Sequence, residues 1–269
     1  MVNLFGKGFV GSRYNELYPC IVNDRNDLTV KTNEILYMIS TTDNYNIHTN
    51  PYLDIETNLT TLIRVLENCK GVKDVVFNFI SSWFVYGSSL EMCGEESPCD
   101  PKGFYSITKR TAEQMLIEYC ETFDIKYRIL RLANVVGPGD KGAGKKKNVL
   151  SYLIREIVKG NDIHLHADGN FYRNYIHVDD VCHAINIILQ KGEYNTIYNV
   201  GNGYSKTLKE MIRYVLYKTN STSKVYSVDA KVESFFIDTT KIQSLGYNPK
   251  FDMTQILDDL IQEAVAKQT

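Results

Sequence analysis

Short apolar runs alternate with longer amphipathic stretches along the first half of the chain. Five of these runs are rich in β-branched or aromatic residues and are bounded by turn residues, which predicts buried strands. They cover residues 2–5, 20–23, 35–40, 75–81 and 127–132. Between the last three runs, apolar residues at spacings of three or four predict helices over residues 57–69 and 106–123. Alternating strands and helices are typical of βαβ units, so we expect an α/β fold built on a doubly wound parallel sheet.

The pattern changes after Gly137-Pro138-Gly139. A basic, glycine-rich loop over residues 140–147 leads into an amphipathic helix at about residues 149–159, and a buried pattern over 175–189 returns the chain to the sheet. We therefore predict a larger sheet domain and a smaller second region. The sheet domain comprises residues 1–136 plus 175–201, and the smaller region comprises residues 137–174 plus 202–269.

Composition excludes several classes of protein. The 269 residues carry 30 basic and 32 acidic side chains, and this near-neutral balance argues against nucleic-acid binding. There is no run of 18 apolar residues, and the N-terminus lacks a basic segment followed by an apolar segment. We therefore expect a cytoplasmic protein with neither a membrane span nor a signal peptide. The six cysteines lack CxxC spacing and a histidine at ligand spacing, which favours reduced thiols over disulfides or a metal site.

A glycine-rich turn follows the first strand directly. Its sequence is Gly6-Lys7-Gly8-Phe9-Val10-Gly11, and this spacing between a strand and a helix predicts a dinucleotide site. Glycines allow a tight turn and a close approach of pyrophosphate, and the amides of Phe9 and Val10 begin the helix that meets its charge. An ordinary glycine-rich βα turn is the alternative.

The residue that would bind the ribose of such a cofactor is ambiguous. Asp24 lies only 13 positions after Gly11, whereas about 20 is usual, so the first helix must be short. Asp24 would favour NAD, but Arg25 could instead meet the 2′-phosphate of NADP, and Asp27 competes with Asp24 for the role. The sequence leaves NAD or NADP open, with NAD favoured.

A tyrosine and a lysine four residues apart give the strongest chemical signal. On a helix, Tyr105 and Lys109 share a face, and an ammonium beside a phenol lowers the pKa of the phenol so that it can act as a base. Such a pair is more often a solvated surface pair. Here the preceding strand ends in Ser81-Ser82, which places a hydroxyl at the carboxyl edge where open α/β sheets bind ligands.

Several further segments occur in an order that is typical of one enzyme family. They are Asn58-Leu59-Thr60-Thr61-Leu62, Pro101 with Tyr105 and Lys109, and residues 130–139, 168–180, 198–203 and 245–249. On these segments the chain resembles, over almost its whole length, the extended short-chain dehydrogenases/reductases that act on nucleotide sugars, the epimerase/dehydratase group. The resemblance implies a Rossmann-like fold, an NAD or NADP cofactor, a nucleoside-diphosphate sugar substrate, and a homodimer formed through the helices over 57–69 and 106–123.

The resemblance also implies residue roles. Ser82, Tyr105 and Lys109 would be catalytic, and Ser40 and Asn58 would join the glycine turn in binding the cofactor. The substrate-binding residues would be Ser82, Trp83, Phe84, Asn134, Asn148 and Arg173. A guanidinium suits bidentate recognition of a diphosphate, which fits Arg173. Lys145-Lys146-Lys147 is expected to be a solvated loop that could help to hold the diphosphate.

Three departures from the family pattern narrow the prediction. Phe5 stands where the family usually has a further glycine, and the 24–35 interval is too short for the usual strand, helix and linker, so the cofactor half looks abbreviated. Ser82-Trp83-Phe84 stands where 4,6-dehydratases carry Thr-Asp-Glu, which disfavours dehydration. We therefore expect an epimerase that acts by transient oxidation, most plausibly at C4. The alternatives are a 4-keto-6-deoxy sugar nucleotide reductase that uses NADPH and a catalytically silent NAD(P)-binding sensor.

Overall fold

The computed structural model describes residues 1–42, 45–87, 92–141 and 148–267. Fourteen strands occur in this part of the chain. They are β1 (Val2–Phe5), β2 (Ile21–Val22), β3 (Glu34–Tyr37), β4 (Val76–Ser82), β5 (Met92–Cys93), β6 (Lys126–Leu132), β7 (Asn134–Val136), β8 (Ile163–His166), β9 (Tyr172–Arg173), β10 (Tyr175–His177), β11 (Thr196–Val200), β12 (Lys206–Thr207), β13 (Val225–Val228) and β14 (Phe236–Ile237). Six of them form the central sheet in the order β11-β6-β4-β3-β1-β2, and every pair in it is parallel.

The same described ranges contain nine α-helices. They are α1 (Phe9–Leu17), α2 (Tyr52–Ile55), α3 (Thr61–Cys69), α4 (Phe104–Thr122), α5 (Val149–Val158), α6 (Val178–Lys191), α7 (Leu208–Thr219), α8 (Thr240–Ser244) and α9 (Met253–Ala266). None of them combines the length and the apolar character that a membrane span requires. Helices α3 and α4 bury their apolar faces against one side of the sheet, and α1 and α6 pack against each other on the opposite side. The predicted α/β class with a doubly wound parallel sheet is therefore confirmed.

A second apolar cluster lies outside the central sheet. It is built from α5, α7, α9 and strand β8, and its buried residues include Leu150, Ile154, Ile212 and Ile256. Strands β8 and β13 pair beside it. One short strand pair joins the smaller region to the sheet domain, because β5 pairs with β14. The pair of β7 with β10 lies in the sheet domain, and the pair of β9 with β12 lies in the smaller region. Both chain segments that enter this second cluster leave from the carboxyl edge of the central sheet.

The element bounds differ from the sequence-based prediction at three places. Strand β2 has two residues instead of the predicted four, and β3 ends at Tyr37 because the chain then passes against the glycine turn. The helix predicted from residue 57 instead starts with α2 and continues into α3 through a π-turn over Glu56–Thr60, a distortion that is frequent at functional sites. The amphipathic period does not reveal such a distortion.

The abbreviated cofactor half is visible in the sheet. No strand or helix occurs over residues 23–33, so β2 is the outermost strand on this side. Two buried asparagines hold this segment along the sheet edge. Asn3 Nδ2 donates to Asn23 Oδ1 at 2.6 Å, and Asn23 Nδ2 donates to the carbonyls of Asp27 and Thr29, both at 2.8 Å. The backbone N–H of Lys31 donates to Asn3 Oδ1 at 2.7 Å.

Candidate active site

The glycine turn packs closely against neighbouring backbone at Gly6 and Gly11 and is open to the cleft at Gly8. Gly6 has φ +101°, and a Cβ added at Gly11 would lie 2.1 Å from the Gly6 carbonyl oxygen, so both positions require glycine. A Cβ at Gly8 would meet nothing within 4 Å, which leaves the start of α1 free on the side of the cleft. This short first helix, nine residues long, agrees with the short helix expected from the position of Asp24. Its first-turn amides form a site suited to a pyrophosphate.

A cleft of about 570 Å³ opens at the carboxyl edge of the sheet, beside this turn. It brings together most of the residues that the sequence proposed for a site. Those lining it are Gly6, Gly8, Phe9, Val10, Gly11, Ser40, Ser82, Trp83, Phe84, Tyr105, Lys109, Asn134, Asn148 and Arg173. Residues that sequence reasoning missed also line it, among them Met38, Thr42 and Asp140. Asp140 follows the Gly-Pro-Gly turn and could have been found there; Met38 and Thr42 carry no motif.

Tyr105 and Lys109 are buried at the floor of this cleft. Lys109 Nζ donates to the carbonyl of Ile80 at 2.7 Å and lies 4.1 Å from the centre of the Phe79 ring. Burial lowers the pKa of Lys109 to about 7, and the negative charge of Glu113 opposes this fall. Near neutral pH the lysine is therefore close to its titration midpoint.

The phenol of Tyr105 is tuned differently from the sequence-based hypothesis. Burial raises its pKa to about 12, the hydroxyls of Ser40 and Ser82 lower the pKa by hydrogen bonding to the phenol, and the charge of Asp54 raises it. Among the described residues the two serines, rather than the Lys109 ammonium, oppose the effect of burial. Spacing could place Lys109 on the same helix face, but it could not show that its Nζ turns to a backbone carbonyl.

Asn58 supports the cleft from behind. Its Oδ1 accepts from Ser40 Oγ at 3.0 Å and from the Thr41 N–H at 2.9 Å, while its Nδ2 donates to Thr41 Oγ1 and Thr108 Oγ1. These four bonds use the capacity of a buried amide. Asn58 is not among the lining residues, so it positions Ser40 within the cleft. The π-turn that contains Asn58 directs it inward.

Arg173 lies at the opposite end of the cleft. Its Nη1 donates to the carbonyls of Glu233 at 2.5 Å and Tyr172 at 2.9 Å, and its guanidinium lies 4.6 Å from the centre of the Phe171 ring. Burial lowers the pKa of Arg173. None of the carboxylates in the described ranges forms an ion pair with it. A half-buried cation that faces a cleft with only neutral partners suits an anionic ligand.

Aromatic rings form one wall between these two ends. The Trp83 ring lies between Phe84 and Phe235, at centroid distances of 4.2 and 4.0 Å. The Trp83 indole donates to Asn134 Oδ1 at 3.3 Å, and Asn134 Nδ2 donates to the Asn174 carbonyl at 3.1 Å. Both ends of the Asn134 amide are thus held by protein groups, so Asn134 fixes this wall.

Asn148 begins α5 beside this wall. It has φ 54°, its Nδ2 donates to Asp140 Oδ2 at 3.1 Å, and its buried Oδ1 accepts no hydrogen bond within the described ranges. The side chain is therefore placed at the mouth of the cleft, next to the positive end of the α5 dipole.

Three groups of predicted residues lie elsewhere. Asp24 and Arg25 are exposed beyond β2 and do not line the cleft. Lys145-Lys146-Lys147 lies outside the described residues. His177, in the segment over residues 168–180, is buried and stacks on Phe251 at 3.9 Å, and its Nδ1 accepts the N–H of Asp179 at the start of α6.

The glycine turn, the buried tyrosine–lysine pair and the strand-end serine line one cleft at the carboxyl edge of a doubly wound sheet, the arrangement that a dinucleotide-dependent enzyme would require. Residues 29–201 match the NAD dependent epimerase/dehydratase family. The chain belongs to this family, as the resemblance drawn from the sequence implied.

Curated proteins with similar sequences support this family assignment. The chain is 29% identical over 161 residues to the dTDP-D-glucose 4,6-dehydratase of Dictyostelium discoideum, which is 55% of this chain and 36% of that protein. More widely, the chain spans between 34% and 53% of the length of three curated relatives that it matches. These proteins are therefore much longer than the segment they share with it.

Solved structures share the fold over almost the whole chain. The UDP-glucuronic acid 4-epimerase of Bacillus cereus, in complex with NAD, superimposes with a TM-score of 0.88 at 17% identity, covering 100% of this chain and 99% of that one. The structure of RMD from Pseudomonas aeruginosa, complexed with NADPH, gives a TM-score of 0.86 at 20% identity, and 99% of each chain is covered. At these identities the likeness concerns the fold.

Proposed function

We propose that this protein is an NAD(P)-dependent epimerase that acts on a nucleoside-diphosphate sugar by transient oxidation at C4. The observation that carries the proposal is the shared cleft: the glycine turn, the hydroxyls of Tyr105 and Ser82, and the cation of Arg173 all face one cavity. A redox step at a sugar carbon needs a cofactor site, a base and a substrate anchor within reach of each other. The similar fold of the Bacillus cereus protein, a 4-epimerase in complex with NAD, supports the same chemistry.

The residues of the glycine turn fit a dinucleotide. The open Cβ position at Gly8 and the free first-turn amides at Phe9 and Val10 leave room and donors for a pyrophosphate. Ser40, held by Asn58, faces the same space. When bound, the dinucleotide supplies reversible uptake of a hydride from the sugar. Exposed Asp24 would meet a ribose hydroxyl and favour NAD, whereas Arg25 would meet a 2′-phosphate.

Tyr105 would remove the proton of the C4 hydroxyl. With its pKa raised to about 12, the free phenol is protonated at neutral pH, so the site must stabilise the phenolate as it forms. Ser82 and Ser40 hydrogen-bond the phenol, and protonated Lys109 supplies the nearby positive charge. Ser82 would also hydrogen-bond the developing oxyanion on the sugar.

The diphosphate would lie at the other end of the cleft. Arg173 offers a guanidinium without a carboxylate partner in the described part of the chain, and α5 presents its N-terminus from Asn148 onward. The sugar would then rest against the wall of Trp83 and Phe84, which provides apolar contact and carries no acid–base pair. This supports epimerisation over 4,6-dehydration.

A second candidate is the NADPH-dependent reduction of a 4-keto-6-deoxy sugar nucleotide. The specific observation that favours it is that no strand follows β2 at this edge of the sheet, so a loop instead of a strand and helix would cover the predicted adenosine site. A reductase must exchange its cofactor in every turnover, and an open site assists exchange. An epimerase regenerates its cofactor and gains from holding it.

The deciding experiment identifies the nucleotide bound to purified protein and then tests a Tyr105→Phe variant. Retained NAD with interconversion of UDP- or dTDP-hexoses supports the epimerase; an empty site that prefers NADPH and consumes it with a keto sugar supports the reductase. Tyr105→Phe should lose about 100-fold or more of either activity while its affinity for the cofactor stays the same. Tyr119→Phe is the matched control, because Tyr119 lies on the same helix and bonds Glu67 outside the cleft. Full activity in Tyr105→Phe, or no binding of either cofactor, would refute the proposal.

We also propose that the chain forms a homodimer through α3 and α4. Helix α4 exposes two large apolar side chains, Ile107 at 48% and Met115 at 39%, and Phe123, directly after the helix, is 45% exposed. A second copy of the same surface would cover them, because a two-fold interface brings the same patch of each copy together.

A further inference from the structure

A fully buried carboxylate lies directly beneath the proposed catalytic residues. Glu113 follows Lys109 by one helical turn on α4 and has no solvent exposure. Its oxygens accept four hydrogen bonds: from Ser81 Oγ at 2.5 Å, from Arg131 Nε and Nη2 at 3.0 and 2.8 Å, and from Arg110 Nη1 at 2.9 Å. Every lone-pair direction of the carboxylate is thus engaged, which makes its position well defined.

These bonds join the helix to two strands at the edge where the cleft opens. Ser81 precedes Ser82 in β4, and Ser81 stands directly opposite Arg131 in the pairing of β4 with β6. Arg131 is held in turn, because its Nη1 donates to the Glu95 carbonyl at 3.1 Å and its guanidinium lies 4.8 Å from the centre of the Tyr86 ring. Glu113 therefore fixes the distance between the helix of Tyr105 and the strand end of Ser82.

The negative charge of the same carboxylate raises the pKa of Lys109, against the effect of burial. From β4, Lys109 meets only the Ile80 carbonyl and the Phe79 ring. From β3, the Tyr37 phenol stacks on Phe79, and burial raises the pKa of Tyr37 so that it stays neutral. On its own helix, Lys109 has Tyr105 one turn before it and Glu113 one turn after it.

Three more charges belong to this environment. Asp54 of α2 acts on Tyr105, and Arg131 of β6 and Arg110 of α4 are both paired with Glu113. Burial pushes the Lys109 ammonium toward its neutral form, and the negative charge of Glu113 pushes it back. Without that charge the lysine would be largely neutral at the pH where the tyrosine needs a cation nearby.

We propose that Glu113 is a positioning residue for the reaction: through its bonds to Ser81 and Arg131 and its place one turn from Lys109, it sets the geometry of the catalytic group and keeps Lys109 charged. This inference rests on the proposed function for its catalytic meaning. The effect of Glu113 on Lys109 is measurable without any substrate, so this inference and the proposed function can fail separately.

The test measures the pKa of Lys109 by ¹³C NMR on protein labelled at lysine Cε, all variants being held in the same cofactor state. The Lys109 signal is the one lost in a Lys109→Arg variant. Glu113→Gln should lower this pKa by about one pH unit, because one nearby opposite charge is removed. Glu118→Gln is the matched control. Glu118 lies exposed on the same helix, about 13 Å along the helix axis from Lys109, and its loss should leave the pKa of Lys109 unchanged. An unchanged Lys109 pKa in Glu113→Gln overturns the proposal.

The activity profile supplies a second readout. In Glu113→Gln the alkaline limb of the kcat profile should move to lower pH with the KM for the nucleotide sugar retained, a change that a general loss of packing would not produce. A wild-type protein inactive on every nucleotide sugar refutes the proposed function, while the NMR result still decides the role of Glu113.

Removal of one member of a buried ion pair can prevent folding. The double variant Glu113→Gln/Arg131→Met removes both buried charges and should fold with a smaller fall in the pKa of Lys109, because loss of the Arg131 charge partly offsets loss of the Glu113 charge. A double variant that stays unfolded assigns Glu113 to stability alone and overturns the proposal.

Discussion

Asp179 joins the two helices that begin beside the glycine turn. It accepts two hydrogen bonds from Arg13, at 2.6 and 2.9 Å, in a bidentate arrangement between α6 and α1. The hydrogen bonds from Arg13 lower the pKa of Asp179 below its ordinary value. A carboxyl whose pKa is lower in the folded state stabilises the fold above its unfolded pKa, and this contribution is lost as the pH falls through the folded pKa.

Asp179→Asn should therefore lower the free energy of unfolding by about 1 kcal/mol at pH 7, a modest value because Arg13 is partly exposed and keeps Glu16 as a partner. The difference from the wild type should shrink below about pH 4, where an unfolded aspartate takes up its proton. Urea unfolding at pH 7 and pH 3 measures both values. Asp229→Asn, at an exposed position, is the control; a difference that stays constant with pH would contradict this account.

At the residue scale, spacing placed Tyr105, Lys109 and Ser82 on elements that line the cleft, whereas residues such as Arg173 were proposed from the family resemblance. Tyr105 and Lys109 face the same cavity because they are four apart on a helix, and Ser82 joins them because a parallel sheet places its strand ends at one edge. Sequence reasoning missed how each group is tuned. The burial that lowers the pKa of Lys109, and the carboxylate of Glu113 that opposes it, depend on contacts between α4, β4 and β6 that no local pattern contains.

At the element scale, the turn between β1 and α1 depends on two glycines for different physical reasons. Gly11 is required by packing, since an added Cβ would collide with the backbone of Gly6. Gly8 has free space around its Cβ position and an ordinary φ of −82°, so the fold itself does not require it. Glycine would be required at position 8 only by a ligand that approaches the backbone closely.

Substitutions at these glycines should separate stability from binding. Gly11→Ala should cost about 1–3 kcal/mol of stability because the turn must open. Gly8→Ala should leave the thermal midpoint close to that of the wild type and weaken NAD(P) binding at least tenfold. Thermal unfolding and calorimetric titration with both cofactors measure these effects. Equal NAD(P) affinity in Gly8→Ala and the wild type would show that the pyrophosphate does not lie on this turn.

The longer elements were predictable, whereas the short and distorted elements were not. Strands β1, β4 and β6 and helix α4 lie within two residues of their predicted bounds, because their apolar periodicity is strong. The start of α2 and the π-turn before α3 were missed, since the hydrogen bonds that Asn58 donates there go to Thr41 and Thr108, which are distant in sequence. The shortness of β2 likewise follows from the loop that packs beside it.

At the scale of the whole molecule, the proposed homodimer is open to a direct test. Light scattering should give twice the mass of the 30.8 kDa chain. Met115→Glu places a charge in the exposed apolar patch of α4 and should shift the mass toward the monomer, because an interface cannot readily bury an unpaired charge. Tyr217→Glu, at an 81% exposed position on α7, is the control. A monomeric wild type, or a dimer unaffected by Met115→Glu, would refute this interface.

The division of the chain into a sheet domain and a region of residues 137–174 plus 202–269 stays a prediction. The separate apolar cluster around α5, α7 and α9 supports it. What could not be foreseen is how the pairing of β5 with β14 joins the two parts, because it pairs segments far apart in sequence.

The asparagine-held loop over residues 23–31 has a consequence for colloidal behaviour. A sheet that ends on an uncovered strand offers a row of free backbone groups to another molecule, which is a common route to aggregation. Here the outermost strand has only two residues, and Asn3 and Asn23 hold the following loop beside it through hydrogen bonds with backbone groups of that loop. Replacing both amides by leucine would uncover this edge. The pair therefore limits the length of sheet edge that a strand of another molecule could pair with.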